Sequence, residues 1–432
     1  MRHLFFGGVE PPHKKEMSLS TDQLCTIQPQ HVVIPLLQHI GVPCQPLVRV
    51  GDTVCEGDKI GDGDGLCVPV HASVSGQVIA IEPRPHPSGL EVMAIVIRSG
   101  EPAAPRSYTP PNQEANTDAL LTAIREAGVV GMGGAAFPGD VKALSAMGKI
   151  DTLIANGCEC EPYITADDML LRTDPEQVLQ GLQILQRLLQ PQRTVLAIED
   201  NKAAAIDRVR RCCADFPEVE PTVLPTRYPQ GSEKQLIQAL TGRQVPAGKL
   251  PAAAHCAVFN VSTCAAVARA VRLGQPLTHR IVTVSGEAVA HPQNFLVPIG
   301  TLFRDLLHAA GATGSLRRII SGGAMMGKAQ ASPDVPVVKA TNAILALPHN
   351  LSDTAQQTRC IRCGKCVAVC PMCLQPLYLY LYEKRGDGEA LRQLHLFDCI
   401  ECGSCSYICP AKLPLTERFR FGKQLLKERG AS

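Results

Sequence analysis

Of the 19 cysteines in this 432-residue chain, nine lie between Cys360 and Cys409 and ten are scattered over the first 264 positions. Cys360, Cys363 and Cys366 stand two residues apart, and Cys370 follows three residues later, just before Pro371. Cys399, Cys402, Cys405, Cys409 and Pro410 repeat that spacing. Three thiolates at this interval can wrap one corner of an iron–sulfur cubane from a single tight loop. Gly364 and Gly403 permit the turn, which aims backbone N–H groups at cluster sulfurs. The fourth cysteine starts a helix that points away, and where two clusters are paired it serves the other one. The spacing therefore assigns Cys360, Cys363, Cys366 and Cys409 to one [4Fe–4S] cluster. Cys399, Cys402, Cys405 and Cys370 take the second. Tetrahedral zinc held by four cysteines is the competing chemistry, and two complete sets, each closed by Cys-Pro, argue against it. Cys373 has no place in either set and reads as a packed or spare thiol.

A second kind of chemistry is suggested upstream. Gly131-Met-Gly-Gly-Ala-Ala-Phe-Pro138 is a glycine-rich loop whose amides can approach an anion, and Lys142 lies four residues beyond it. It is neither a Gly-x-Gly-x-x-Gly fingerprint after a strand nor a P-loop. Asn156-Gly-Cys-Glu-Cys-Glu-Pro162 continues to Asp167 and Asp168 after an expected strand, where α/β folds place ligand sites. The pair Cys158 and Cys160 is poor evidence for a metal, since buried free thiols are common. Tyr228-Pro-Gln-Gly-Ser-Glu-Lys-Gln235 and Asn260-Val-Ser-Thr263 are two further turns that open helices, and helix N-termini favour phosphate. Each junction alone is weak. Four in one α/β region, beside an iron–sulfur relay, suggest a flavin nucleotide.

The elements that must position these groups follow from pattern and punctuation. Residues 31–100 read as short strands, at Val32–Ile34, Leu47–Val50, Gln77–Ile81 and Val92–Ile97, separated by Gly, Asp and Pro. Val50-Gly-Asp-Thr-Val-Cys-Glu-Gly-Asp58 and Pro69 to Val78 resemble barrel-sandwich modules of the biotinyl/lipoyl type. The expected tip, Pro69–Ser73, has no Lys to modify, which implies a docking or structural module. Residues 115–270 alternate helix and strand: helices over Thr117–Ala127, Pro175–Leu189 with Asp174 as N-cap, and Asn201–Ala214; strands at Thr152–Ala155 and Thr194–Ile198. Residues 278–325 form a smaller β-rich unit, with strands at Arg280–Ser285 and Arg318–Ser321 and a helix over Leu302–Ala310. Gln375–Asp398 has a helical pattern. Glu101–Pro111 is a linker by composition, and Ser332–Pro336 a weaker break. The fold expected is thus α/β and multidomain: an N-terminal segment (1–30), a barrel-sandwich β module (31–105), an α/β nucleotide-binding domain (115–275), a β-rich unit (276–330) and a C-terminal α+β two-cluster, ferredoxin-like domain (350–425).

Composition excludes several function classes. A hydrophobic content of 45% supports a buried core. A net charge of +2, with no Trp and 4% aromatics, argues against nucleic acid as partner. The start Met1-Arg-His-Leu-Phe-Phe-Gly-Gly8 breaks at glycines before any apolar leader core forms, so the cysteines are expected to be metal ligands in a reducing compartment and not disulfides. The most apolar run, Cys256–Ala268, is too short to span a bilayer.

The loop at 131–138, the phrase Asn156–Pro162, Tyr228–Gln235 and Asn260–Thr263 resemble the flavin- and NADH-binding 51 kDa-type subunit of respiratory complex I. The opening Phe6-Gly-Gly-Val-Glu-Pro-Pro-His-Lys-Lys-Glu16, the 31–100 module and the paired clusters bring the chain closer to the RnfC family, found in Rnf ion-translocating ferredoxin:NAD oxidoreductases. That resemblance implies noncovalent FMN, NADH/NAD⁺ stacked on it, and a β-grasp unit of the soluble-ligand-binding type at 276–330. By the same resemblance Gly131, Gly133, Gly134 and Lys142 would line FMN, and Asn156, Glu159 and Glu161 would approach its ring and ribityl chain. Asn260 and Thr263 would meet its phosphate, while Phe137 and Glu233 would face the nicotinamide nucleotide. Ala136 and Gly139 stand where the family phrase has Gly and Thr. No side chain need act as acid or base on carbon, because flavin itself converts hydride to single electrons. Ion pumping falls to membrane subunits, with ferredoxin reached through one of them and this chain peripheral on the cytoplasmic side. Two other readings share parts of this domain set: a soluble flavin–iron–sulfur reductase of the cobalamin-reductase type, and an electron-relay scaffold with clusters but no flavin.

Overall fold

The computed structural model describes residues 5–20, 22–100, 108–110, 116–348 and 356–428. Most of the linker expected at 101–111, and the first residues of the cluster domain expected from 350, lie outside the described residues.

After the short strand β1 (Cys25–Thr26), the barrel-sandwich module runs through β2 (His31–Pro35), β3 (Gln45–Pro46), β4 (Thr53–Val54), β5 (Lys59–Asp62), β6 (Val70–His71), β7 (Gly76–Pro85) and β8 (Glu91–Ser99). Two sheets, ordered β2-β8-β7-β4 and β3-β5-β6, enclose a core of Val32, Ile34, Ile60, Val70, Ile95 and Ile97. The strand expected at Leu47–Val50 is not formed. After a last backbone bond from the Leu47 N–H to the Ile60 carbonyl at 2.8 Å the pairing stops, and the Leu47 and Val50 side chains face solvent, because Asp52 ties back to the Arg49 N–H and turns the chain there. The Pro69–Ser73 tip is not a free hairpin. It is buried, with the Lys339 ammonium donating to the Pro69 carbonyl at 2.8 Å and the Ser73 hydroxyl donating to the carbonyl of Ile299. This module is docked onto its own chain.

The α/β unit comprises α1 (Thr117–Glu126), α2 (Gly139–Ala146), β9 (Thr152–Gly157), α3 (Ala166–Thr173), α4 (Pro175–Leu189), β10 (Arg193–Glu199), α5 (Ala203–Cys212), β11 (Val219–Leu224), α6 (Glu233–Thr241), β12 (Cys256–Asn260) and α7 (Val261–Leu273). Its parallel sheet has the order β11-β10-β9-β12. The strands are apolar runs because both faces are covered. Leu153, Ala155, Leu196 and Phe259 pack under α4 and α7, whereas Ile154, Val195, Ala197 and Val258 meet α6 through Leu236, Ile237 and Leu240. Helix α4 starts where expected: the Asp174 carboxylate accepts from the Gln177 N–H and Pro175 occupies the first turn, a cap worth about 1 kcal/mol.

The next unit is larger than its sequence suggests. Strands β13 (His279–Ser285), β14 (Gln293–Pro298), β15 (Leu316–Ser321), β16 (Lys328–Gln330) and β17 (Ala343–Pro348), with α8 (Phe303–Ala309), form a sheet ordered β1-β14-β13-β17-β15-β16. Two strands from outside 276–330 complete it. The central one, β17, is an apolar run with no alternation to announce it, and β1 is contributed by the N-terminal segment.

The cluster region contains α9 (Lys365–Ala368), α10 (Pro376–Lys384), α11 (Gly388–Gln393), α12 (Ser404–Ile408) and α13 (Leu415–Glu428). The helical pattern over 375–398 resolves into α10, α11 and a one-turn 3₁₀ segment at Leu396–Asp398. No helix among the described residues is long and apolar enough to cross a membrane.

Candidate functional site

Strand β9 feeds α3 and β12 feeds α7 on opposite sides of the point where strand order reverses. In an open parallel sheet the crevice beyond the carboxyl ends at that point is the place for a ligand. Asn156 and Asn260 end these two neighbouring strands and are register partners. The crevice is a cavity of about 360 Å³. All eleven sequence-assigned flavin and nicotinamide residues are in or beside it: Gly131, Gly133, Phe137, Lys142, Asn156, Glu159, Glu161, Glu233, Asn260 and Thr263 line it, and Gly134 lies between two lining residues.

At the cavity these residues also bond to one another. The Glu159 carboxylate accepts from the Asp167 N–H at 2.8 Å, at the start of α3, and pairs with the Lys202 ammonium at 3.3 Å, both side chains being buried. Glu161 accepts from the N–H groups of Met325 and Met326, each at 2.9 Å. Asn156 accepts from the Cys158 N–H and donates to the Gly231 carbonyl. Asn260 caps α7 through the Ser262 N–H and donates to Asp167. The Thr263 hydroxyl accepts from the Met132 N–H at 2.8 Å and so fastens the glycine loop. Lys142 and Glu233 form an ion pair at 2.8 Å, with Lys142 also 5.4 Å from the centre of the Phe259 ring. These side chains shape the cavity more than they reach into it.

The surface left open is backbone. Gly133, Gly134 and Ala135 are exposed, and Gly133 and Ala135 line the cavity. Gly134 has φ +113°, and a Cβ built there would meet nothing within 4 Å. Four helices, α2, α3, α6 and α7, begin at cavity-lining residues or next to them, so their dipoles favour an anion, although Glu159 and Asn260 already take first-turn amides of α3 and α7. A nucleotide phosphate fits that donor set. Ala136, where the family phrase has Gly, is held at φ 50° in the left-handed region, which explains the usual glycine.

Two further contributors were not among the assigned site residues. The Lys15 ammonium is buried and donates to the carbonyls of Glu159, Glu161 and Ile164, threading the N-terminal segment under the cavity. Burial first, and then Lys202, lowers its pKa to about 8. Asp167 accepts from Asn260 and Ser262. Burial, with Glu159 nearby, raises its pKa to about 6. The Asp-Asp pair at a helix start was the available signal for it. Lys15 lies in the opening Phe6–Glu16 phrase, which gave it no role at the cavity.

Eight cysteines of the cluster region fall into two groups. Cys370, Cys399, Cys402 and Cys405 line one cavity, while Cys360, Cys363, Cys366 and Cys409 line another. Four sulfur donors facing one space fit a cubane with one ligand per iron. Burial, and next the nearby Cys399, Cys402 and Cys370, push the Cys405 thiol up to about 12 against a hydrogen bond to Thr416; bound iron would supply the positive charge that favours the thiolate. Amides of Arg362, Leu374 and Glu401 point at the sulfurs of Cys360, Cys370 and Cys399 at 3.3–3.4 Å. The two loops are near repeats. Arg362 and Glu401 both have positive φ, and so do Cys373 and Lys412. Cys373 therefore occupies the position that the other loop gives to Lys412, which is no ligand position.

Ile400 and Cys402 also line the crevice at the sheet. The Tyr228 hydroxyl donates to the Cys402 carbonyl at 2.6 Å, and the Gly8 N–H donates to Val369 at 2.8 Å. One cavity thus has the glycine loop on one wall and the second cluster loop on another.

Four family models match in chain order: an RnfC barrel sandwich hybrid domain (residues 3–101), a Nuo51 FMN-binding domain (124–269), an SLBB domain (281–329) and a 4Fe-4S dicluster domain (356–413). The RnfC protein of the Na(+)-translocating ferredoxin:NAD(+) oxidoreductase complex of Acetobacterium woodii is 43% identical over 97% of this chain and 96% of its own length. The chain belongs to the RnfC family. A second relative, the RnfC protein of the proton-translocating ferredoxin:NAD(+) oxidoreductase complex of Clostridium ljungdahlii, is 42% identical over 97% of this chain and 93% of its own. The corresponding protein of the ion-translocating oxidoreductase complex of Pectobacterium carotovorum is 43% identical, and the match spans only 56% of that longer RnfC protein.

Proposed function

We propose that this chain is the peripheral electron-transfer subunit of a membrane-bound ferredoxin:NAD oxidoreductase. It would pass electrons between NAD(H), FMN and two [4Fe–4S] clusters on the cytoplasmic side, with ferredoxin reached through a partner protein of the complex. One observation carries the reading: Ile400 and Cys402 of the cluster loop share a cavity with the glycine loop and the carboxyl ends of β9 and β12. The match to an FMN-binding domain favours it over a flavin-free relay scaffold.

Bound FMN supplies the exchange between hydride and single electrons. The chain's part is positional. The amides of 133–135 and the helix N-termini hold the phosphate end. Phe137 and the Lys142–Glu233 pair form the wall on which the nicotinamide nucleotide is taken to lie. Tyr228 and Glu161 fix the Cys402 loop against the same space, which keeps the one-electron carrier beside the two-electron one.

The test uses the anaerobically purified full chain. Acid precipitation should release FMN into the supernatant, and NADH should bleach the bound flavin in stopped flow. Gly134→Val puts a branched side chain at φ +113° in the middle of the glycine loop, between two cavity-lining residues, so bound FMN should fall sharply while iron stays at about eight per chain. FAD in the supernatant, or full FMN occupancy in Gly134→Val, contradicts the assignment.

A further inference from the structure

Three side chains of the barrel-sandwich module take no part in the site above, yet they converge in its core. His39 follows β2, Cys44 precedes β3 and Cys67 precedes β6. One ring nitrogen of His39 and the two sulfurs lie within 4.8 Å of one another, and all three residues are buried. The sulfurs are 3.4 Å apart and not bonded to each other. The Val68 carbonyl lies 3.2 Å from the Cys44 sulfur and 4.0 Å from that of Cys67. His39 Nε2 faces the Val42 carbonyl at 3.1 Å, and Nδ1 is buried with no hydrogen-bond partner.

An orphaned polar nitrogen in a core costs about 1–3 kcal/mol, and a thiol is too weak a donor to repair it. We propose that His39, Cys44 and Cys67 form a metal site for Zn²⁺, with an oxygen from the Val68 carbonyl or a water as fourth ligand. Two thiolates and an imidazole are a borderline-soft donor set, which suits zinc and not the oxygen-seeking Mg²⁺ or Ca²⁺. The spacing agrees. Two sulfurs at the usual zinc–sulfur length in a tetrahedron stand roughly 3.8 Å apart, close to the observed separation. A disulfide requires about 2.05 Å, so the sulfurs would have to close by more than an ångström in a packed core.

The ion would tie the turn at 39–44 to the strand entry at 66–68, which backbone bonds already join, Val42 N–H to Leu66 at 3.0 Å. The same turn reaches the flavin cavity. The Ile40 N–H donates to the Ala136 carbonyl at 3.0 Å, holding the left-handed residue of the glycine loop. Zinc here would brace that loop from behind without contacting any cofactor.

The full chain, purified anaerobically, exposed to Zn²⁺ and desalted, should carry one zinc that Cys44→Ser/Cys67→Ser lacks, with iron equal in both. His39→Gln should lose the same zinc and keep its iron. Zinc-edge X-ray absorption on the unaltered chain needs no variant, and should show two sulfurs with nitrogen and oxygen completing the shell. Equal zinc in wild type and variants overturns the site. So does an all-oxygen shell, a four-sulfur shell that places zinc in the cluster loops, or a Cys44–Cys67 disulfide in the zinc-treated protein. The readout is zinc, so the result stands apart from whether the protein oxidises NADH.

Discussion

The two cluster loops share the phrase Cys-Ile-x-Cys-Gly-x-Cys-x-x-x-Cys-Pro-x-x-Leu, at 360–374 and 399–413, yet they live in opposite surroundings. Around Cys402 the loop is buried. Tyr228 donates to its backbone, Gly403 sits against Met325, and Glu401 pairs with Arg420 and Lys423 of α13. Around Cys363 the loop is open: Cys360, Cys363, Arg362 and Gly364 are exposed, and Ile361 is 68% exposed. A repeated motif therefore specifies the cluster and not its job. Under the function proposed above, burial beside the cavity would make one cluster the flavin's direct electron partner. Under the same proposal, exposure would leave the other open to a further carrier.

The sharpest way to break this contrast is to remove one cluster at a time. Cys402→Ser should halve the iron, from about eight to about four per chain, and abolish electron exit while NADH still bleaches the flavin. Cys363→Ser should also halve the iron, but one-electron reduction of the buried cluster should persist. Stopped-flow absorbance with electron paramagnetic resonance checks both. If Cys402→Ser stops flavin bleaching with FMN still bound, the order flavin to buried cluster is wrong.

The glycines give a smaller and cleaner difference. Gly403 and Gly364 have φ +82° and +73°, so an alanine strains both by about 1 kcal/mol. Only at 403 would the new Cβ strike a neighbour, 2.8 Å from the Met325 carbonyl; at 364 nothing lies within 4 Å. Gly403→Ala should therefore lower the melting temperature more than Gly364→Ala, and equal losses would show that the Met325 contact is immaterial.

Tyr228→Phe should cost about 1–3 kcal/mol by leaving the buried Cys402 carbonyl unpaired, and should alter the resonance signature of that cluster alone. The smallest effect belongs to Cys373→Ser. Its counterpart is Lys412 and both ligand sets are complete without it, so iron content should not change.

Much of this was legible beforehand because it is local. Cysteine spacing, the Asp174 cap, the glycine loop and the turn-to-helix junctions are short-range patterns whose chemistry constrains residue type at fixed intervals. Pattern alone was enough for two cluster loops, an α/β unit and the turn-to-helix segments within it; the parallel strand order came from the fold. Pattern could not determine which carboxylates are free. Glu159 and Glu161 carry the same motif value, but one is consumed by Lys202 and the start of α3, the other by the amides of Met325 and Met326. Nor could it place Lys15 beneath the cavity, β1 and β17 in one sheet, or His39 beside Cys44 and Cys67. Those are long-range juxtapositions, set by which apolar faces bury against each other, and burial is decided only when the whole chain has packed. The same reason separates the two cluster loops: identical spacing builds both, and the tertiary packing of the N-terminal segment, Tyr228 and α13 decides which one faces the flavin cavity.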